Sequence, residues 1–183
     1  MNGRVTISAL SAAMLLLIMI GTACMDGGVS VEIARSGFET ESVLWRENPS
    51  ANIDSEMVHE GVGSLFVFAT GLVKVPIMDV PNVSVVGDSL TVTLWARTQI
   101  LQESTVLEML IDREGLDPRL AQVRMNDVRR TTPWSPVQIA FHLVPDEHPT
   151  RLRLALIVPQ PGKLWIDDVV IWDGAPRTDA GTE

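Results

Sequence analysis

The chain lacks tyrosine altogether and has one cysteine and three histidines in 183 residues. One cysteine excludes an internal disulfide, so core packing and polar networks must hold the fold, with a metal as the remaining option. His59, His142 and His148 have no metal-ligand spacing and read as ordinary side chains. No Gly-rich phosphate loop, no His-Glu-x-x-His and no Ser/His/Asp order of known type occurs, which argues against an enzyme. A pair of carboxylates could hydrolyse glycosides, but a chain this small without an aromatic cleft is a poor vehicle for that chemistry. Basic residues are also scarce. Of 14 Lys and Arg only Arg4 precedes Cys24, so the remainder sets 13 basic against 23 acidic residues, a net of −10. That balance excludes a nucleic-acid partner, which needs a concentrated basic surface, and electrostatic docking on anionic lipid.

What is present begins with a targeting segment. Arg4 and the amino terminus precede an apolar run, residues 9–20, that is too short for a comfortable membrane span. Gly21-Thr22-Ala23 then places small residues directly before Cys24. This resembles the lipobox of bacterial lipoproteins, with Gly21 where that family usually has Leu, and it implies that Cys24 is lipidated. The alternative is an ordinary secretory signal with an incidental cysteine. The sequence thus divides into a signal segment (1–23), a lipidated cysteine and tether (24–35), one domain (36–173) and a frayed tail (174–183). The expected place is the extracytoplasmic side of a cell-envelope membrane, or secretion if Cys24 carries no lipid.

The domain reads as all-β. Residues 64–70, 72–80, 89–98, 105–112, 120–125, 137–143, 152–158 and 163–172 are short alternating or apolar runs punctuated by Gly, Pro and Asp. Leu90, Val92, Leu94 and Ala96 face one way, and Thr91, Thr93, Trp95 and Arg97 the other. A helix across 101–111 is the competing reading there, because Gln102, Glu103, Leu107, Glu108 and Met109 are good helix formers; Thr105-Val106 and the neighbouring pattern favour strand. About nine strands without intervening helices make an antiparallel β-sandwich.

The last run, Lys-Leu-Trp-Ile-Asp-Asp-Val-Val-Ile-Trp, is apolar except for Asp167 and Asp168 in its middle. Strict alternation puts Asp167 with Trp165, Val169 and Ile171, and Asp168 with Leu164, Ile166 and Val170. A buried carboxylate without a partner costs several kcal/mol, so a cation, a set of donors or a proton must answer it.

Gly37-Phe38-Glu39, then Trp45, then His59-Glu-Gly-Val-Gly-Ser-Leu65 resemble the opening of CenC-like carbohydrate-binding modules. The match continues through Ser89-Leu-Thr-Val-Thr-Leu-Trp-Ala-Arg97, Thr131-Thr-Pro-Trp134, Phe141-His-Leu-Val-Pro145 and Leu164-Trp-Ile-Asp-Asp-Val169. It spans residues 36–172 and implies a galactose-binding-domain-like jelly roll. It also implies a structural calcium held by the Gly37 carbonyl, Glu39, Glu56, the His59 carbonyl and Asp167, with Asp168 next in line. Hard oxygen donors without a thiol or imidazole cluster agree with calcium. The alternative is that the acids are solvated or cap backbone amides.

A glycan is the expected partner of such a module. Sugar recognition needs aromatic faces and planar polar side chains, and Trp45, Trp95, Arg97, Gln138 and Arg153 are the candidates on the non-core surface. Thr91, Thr93, Glu108, Gln122, Arg124, His142 and Arg151 are placed beside them. Each Trp also has a structural explanation, since a buried Trp is more often core than platform. The leading expectation is a non-catalytic, lipid-anchored glycan-binding module. The second is a structural or adhesion lipoprotein that uses the same sandwich for a protein partner.

Overall fold

The structure, a computed structural model, describes residues 30–39, 44–46 and 48–176. The signal segment, Cys24 and residues 177–183 lie outside the described residues. Ten strands form among the described residues, with no helix. They are β1 (Val31–Ser36), β2 (Ala51–Asp54), β3 (Ser64–Ala69), β4 (Val73–Pro81), β5 (Ser89–Leu101), β6 (Thr105–Arg113), β7 (Leu116–Met125), β8 (Arg130–His142), β9 (Pro149–Val158) and β10 (Gly162–Asp173). All pairings are antiparallel. One sheet runs β2-β3-β10-β5-β8, with β1 also paired to β10; the other runs β4-β9-β6-β7. The β-sandwich expected from the sequence is the observed fold.

The inner faces meet in a single core. Leu90, Val92, Leu94, Leu164 and Ile166 of the larger sheet pack against Leu107, Met109, Ile111, Leu152, Leu154 and Leu156 of the smaller one. The alternation of Leu107, Met109 and Ile111 settles the competition over residues 101–111 in favour of strand, since β6 is paired on both sides. Helix propensity there is overridden by burial between neighbours.

Two strands lie outside the sequence expectation. Residues 31–35, assigned to the tether, belong to β1, which pairs with β10 from Val169 to Asp173. β2 has only four residues and little β-propensity; it forms because Ile53 packs against the core and the strand pairs with β3. β8 starts seven residues earlier than residue 137 despite Pro133 and Pro136. It is an edge strand, where missing amide donors leave no ladder bond unmade.

β10 itself departs from strict alternation. Asp168 has φ 47°, and the pairing with β5 slips between Asp167 and Val170. This bulge inserts one residue and exchanges the faces beyond it. Val169 and Ile171 therefore enter the core, while Asp167 stays outside with Trp165, Val170 and Trp172.

Glu147, in the connection between β8 and β9, is buried and ties that loop to β7. It accepts hydrogen bonds from Arg119 Nε (2.8 Å) and Nη2 (2.7 Å) and from the Val144 amide (3.1 Å). Burial pushes its carboxyl up, but the Arg119 and Val144 bonds outweigh this and hold it below the usual carboxylate range. The folded-state value is thus the lower one. The stabilisation is present above the unfolded value of about 4.3 and is lost as pH falls through the folded value. Glu147→Gln should cost about 1–3 kcal/mol at pH 7 and leave a shallower acid dependence below about pH 4. Urea denaturation across that range measures both; a variant with unchanged stability and acid profile would show the pair to be inert.

Candidate functional site

The outer face of the six-stranded sheet carries most of the aromatic residues. Across the strands run two adjacent rows: Asn52, Phe66, Trp165 and Arg97, then Phe68, Lys163 and Gln99. A third position pairs Asp167 with Trp95, and Trp95 with Pro136. Trp172 lies further along, where its Nε1 donates to Thr93 Oγ1 at 3.0 Å.

The hairpin loop between β2 and β3 folds over this face and is held there by carboxylates. Asp167, fully buried, accepts hydrogen bonds from the backbone amides of His59 (3.1 Å) and Glu60 (3.2 Å) on Oδ2, and from Asp168 (2.8 Å) on Oδ1. Burial raises its pKa, against the lowering by these three amides. Asp54 performs the same service at the start of the loop for the amides of Glu56 and Met57, and accepts from Trp165 Nε1 at 2.8 Å. Glu39 Oε2 accepts from the Val62 amide at 3.2 Å. The loop must come close for this, and Gly61 permits it: its φ is 73°, and a Cβ there would collide with the Glu39 carboxylate.

The calcium set implied by resemblance is only partly assembled. Glu39 and Asp167 reach the loop that carries His59, Asp168 lies beside the His59 ring, and Gly37 adjoins only the Glu39 side chain; the loop offers amide N–H groups to Glu39 and Asp167 rather than carbonyl oxygens. The Glu56 side chain is exposed, and its amide is taken by Asp54. Among the described residues, Glu39, Glu56 and Asp167 do not form a cluster with ligand atoms close together. As placed, these residues do not fit a calcium cradle of 6–8 oxygens. Amide donors answer the Asp167 charge instead, the alternative left open by the sequence.

The predicted sugar-binding residues fall in three places. Trp45 is 2% exposed and packs in the core against Phe38, with ring centroids 5.6 Å apart, so it has no face to offer a ligand. Trp95, Arg97 and Gln138 do share the outer face of the six-stranded sheet, with Thr91, Thr93 and His142. One face of Trp95 is nonetheless taken: the His59 ring stacks on it at 3.9 Å and 17°. Arg153 stands on the opposite face of the sandwich, with Arg151, Glu108, Gln122 and Arg124. There Lys74–Glu108, Arg151–Asp79 and Arg153–Asp112 form ion pairs, and Gln122 donates to Glu108 at 2.8 Å. Burial would raise the Glu108 carboxyl, but the Lys74 and Gln122 bonds hold it low. One continuous surface was expected; the sandwich puts its members on two outward faces because β5 and β8 belong to one sheet and β6, β7 and β9 to the other.

Phe66 and Phe68 were not among the expected site residues. They occupy the same outer face of β3, and Phe68 is 49% exposed. Phe66 leans on Trp165 (4.9 Å, 30°). Together with Pro49, Ser50, Asn52 and Lys163 they line a groove of about 420 Å³, within the size range of small-molecule sites. The signal was available in residues 64–69: of the two alternating sets, Leu65, Val67 and Ala69 suit a core, while the aromatic set faces out.

No family model and no curated protein matches the chain. Solved structures do share the fold. A family 30 carbohydrate-binding module superposes with a TM-score of 0.52 at 15% identity, covering 86% of this chain and 94% of that one. The tandem family 22 modules of a Paenibacillus barcinonensis protein give 0.51 at 12%, covering 84% of this chain and 48% of that one. A Clostridium thermocellum xylanase fragment, a family 22 module with its catalytic module, gives 0.51 at 10%, covering 82% and 30%. At these identities the likeness establishes the β-sandwich architecture that such modules share.

Removing the Asp167 carboxylate leaves three part-buried amides without their acceptor. Asp167→Ala should therefore cost about 1–3 kcal/mol, the range for losing hydrogen bonds to a charged group. The midpoint of urea unfolding reads this directly, and a loss under about 1 kcal/mol would show that water replaces the carboxylate.

Proposed function

We propose that the protein is a non-catalytic glycan-binding module, exported and held at the extracytoplasmic side of a membrane by a lipid on Cys24. The observation that carries the glycan reading is the groove of Phe66 and Phe68 rimmed by Asn52, Ser50 and Lys163. Flat aromatic faces suit the C–H face of a pyranose, and an amide, a hydroxyl and an ammonium supply fixed hydrogen bonds to its hydroxyls. Arg97, at the end of the Phe66–Trp165 row, extends the polar rim. The neighbours support the same class: they are carbohydrate-binding modules, and one is solved with xylohexaose.

Affinity electrophoresis on a panel of polysaccharides, xylan included, is the test. Retardation on at least one polymer is expected, and Phe68→Ala should weaken it about tenfold, the equivalent of about 1.4 kcal/mol. Phe68 is half exposed, so the substitution leaves the core untouched. No retardation on any polymer would contradict the reading.

A second reading, contact with a protein, is favoured by the same exposure of Phe68 together with Leu72 just beyond β3, which is 75% exposed. Loss of a co-purifying protein on Phe68→Ala, without glycan retardation, would select it.

The anchor has its own test. Cys24→Ser should move the protein from the membrane to the soluble fraction; retention at the membrane would contradict lipidation.

A further inference from the structure

The loop that covers Trp95 also brings together three side chains of a kind that bind divalent transition metals. His59, Glu60 and Asp168 each offer one ligand atom, and these atoms lie within 4.8 Å of one another. The His59 ring is clamped: it stacks on Trp95 and meets Trp134 edge-on at 5.7 Å and 64°. Its Nδ1 is buried and has no hydrogen-bond partner. The nearest acceptor, Asp168 Oδ2, stands 3.5 Å away. That is too long for a good hydrogen bond. It is close to the edge of a tetrahedron with bonds of about 2.0–2.1 Å, which is about 3.4 Å. The Asp168 backbone sits in the left-handed region, a conformation sparse for non-glycine residues, and the bulge directs its carboxylate at the ring.

We propose that His59 Nδ1 and the carboxylates of Glu60 and Asp168 form a three-ligand site for a borderline divalent transition metal of the zinc type. Imidazole nitrogen with two carboxylates suits such ions, whereas an oxygen-only set would suit calcium. The site differs from the calcium set considered above in taking the His59 ring rather than its carbonyl and in leaving Asp167 to the loop amides; Asp168, next in line in that set, is the one side chain common to both. Arg35 is its competitor: Nη1 lies 3.9 Å from Asp168 Oδ1, but Nη2 is drawn off by Glu32 at 3.0 Å. A metal at Oδ2 leaves that longer contact in place. The site stands independently of the glycan reading.

Titration of the full chain with Zn²⁺ by calorimetry, alongside tryptophan emission with Cu²⁺ as a quencher, tests it. One Zn²⁺ per chain is expected, with Cu²⁺ quenching the emission of Trp95 and Trp134 beside the ring. His59→Gln and Asp168→Asn should each weaken Zn²⁺ binding at least tenfold, and Glu60→Gln should weaken it measurably. These substitutions preserve the fold's own requirements: the His59 amide still donates to Asp167, and Asn tolerates the left-handed backbone of Asp168. His142→Gln, distant in the sequence and outside the cluster, should change nothing. Absence of Zn²⁺ binding, binding unaffected by His59→Gln, or equal affinity for Ca²⁺ would each overturn the proposal.

Discussion

A single buried carboxylate organises the outer face of the larger sheet. Asp167 sits in the middle of β10, paired with Trp95 of β5, and has no exposed surface. Three backbone amides, two of them from a loop over a hundred residues earlier in the chain, satisfy it. Those bonds are charge-assisted and made in a low-dielectric setting, where each is worth more than a neutral pair. They fix the loop between β2 and β3 against the sheet, and everything distinctive about this face follows. His59 is laid on Trp95, Glu60 is carried toward Asp168, and the aromatic row is divided into a covered part and an open groove at Phe66 and Phe68.

The bulge at Asp168 is the other half of the same device. Without the extra residue, alternation would carry Asp168 into the core with Leu164 and Ile166, where a charge has no partner. With it, Asp168 remains at the surface beside His59 and Arg35, and Val169 and Ile171 take the inward positions. The left-handed backbone of Asp168 costs something of order 1 kcal/mol, which the core placement of two large apolar side chains more than offsets at about 1.5–3 kcal/mol each.

The fold was legible from the sequence because two-residue alternation and turn residues are local properties. Leu90, Val92, Leu94 and Ala96, and likewise Leu152, Leu154 and Leu156, declare an inward face without reference to any other strand. The site was less legible because it depends on which strands share a sheet. Thr93, Gln138 and Arg153 look alike as outward polar residues; only the pairing of β9 with β4 and β6 separates Arg153 from the others. Trp45 and Trp95 could not be told apart from stacking platforms either, as their covers, Phe38 and the core for one and His59 for the other, come from distant loops. Residues 31–35 read as tether because they show little alternation; they form a strand through their partner, β10.

Asp167, through its amide bonds, holds the loop to the sheet. Hydrogen exchange of the His59 and Glu60 amides tests this most directly, because exchange requires those bonds to open. Both are expected to exchange as slowly as the strand amides of β3 and β10, and to become fast in Asp167→Ala while the strands stay protected. Exchange of the two amides in the unsubstituted protein at the rate of an exposed loop would contradict it.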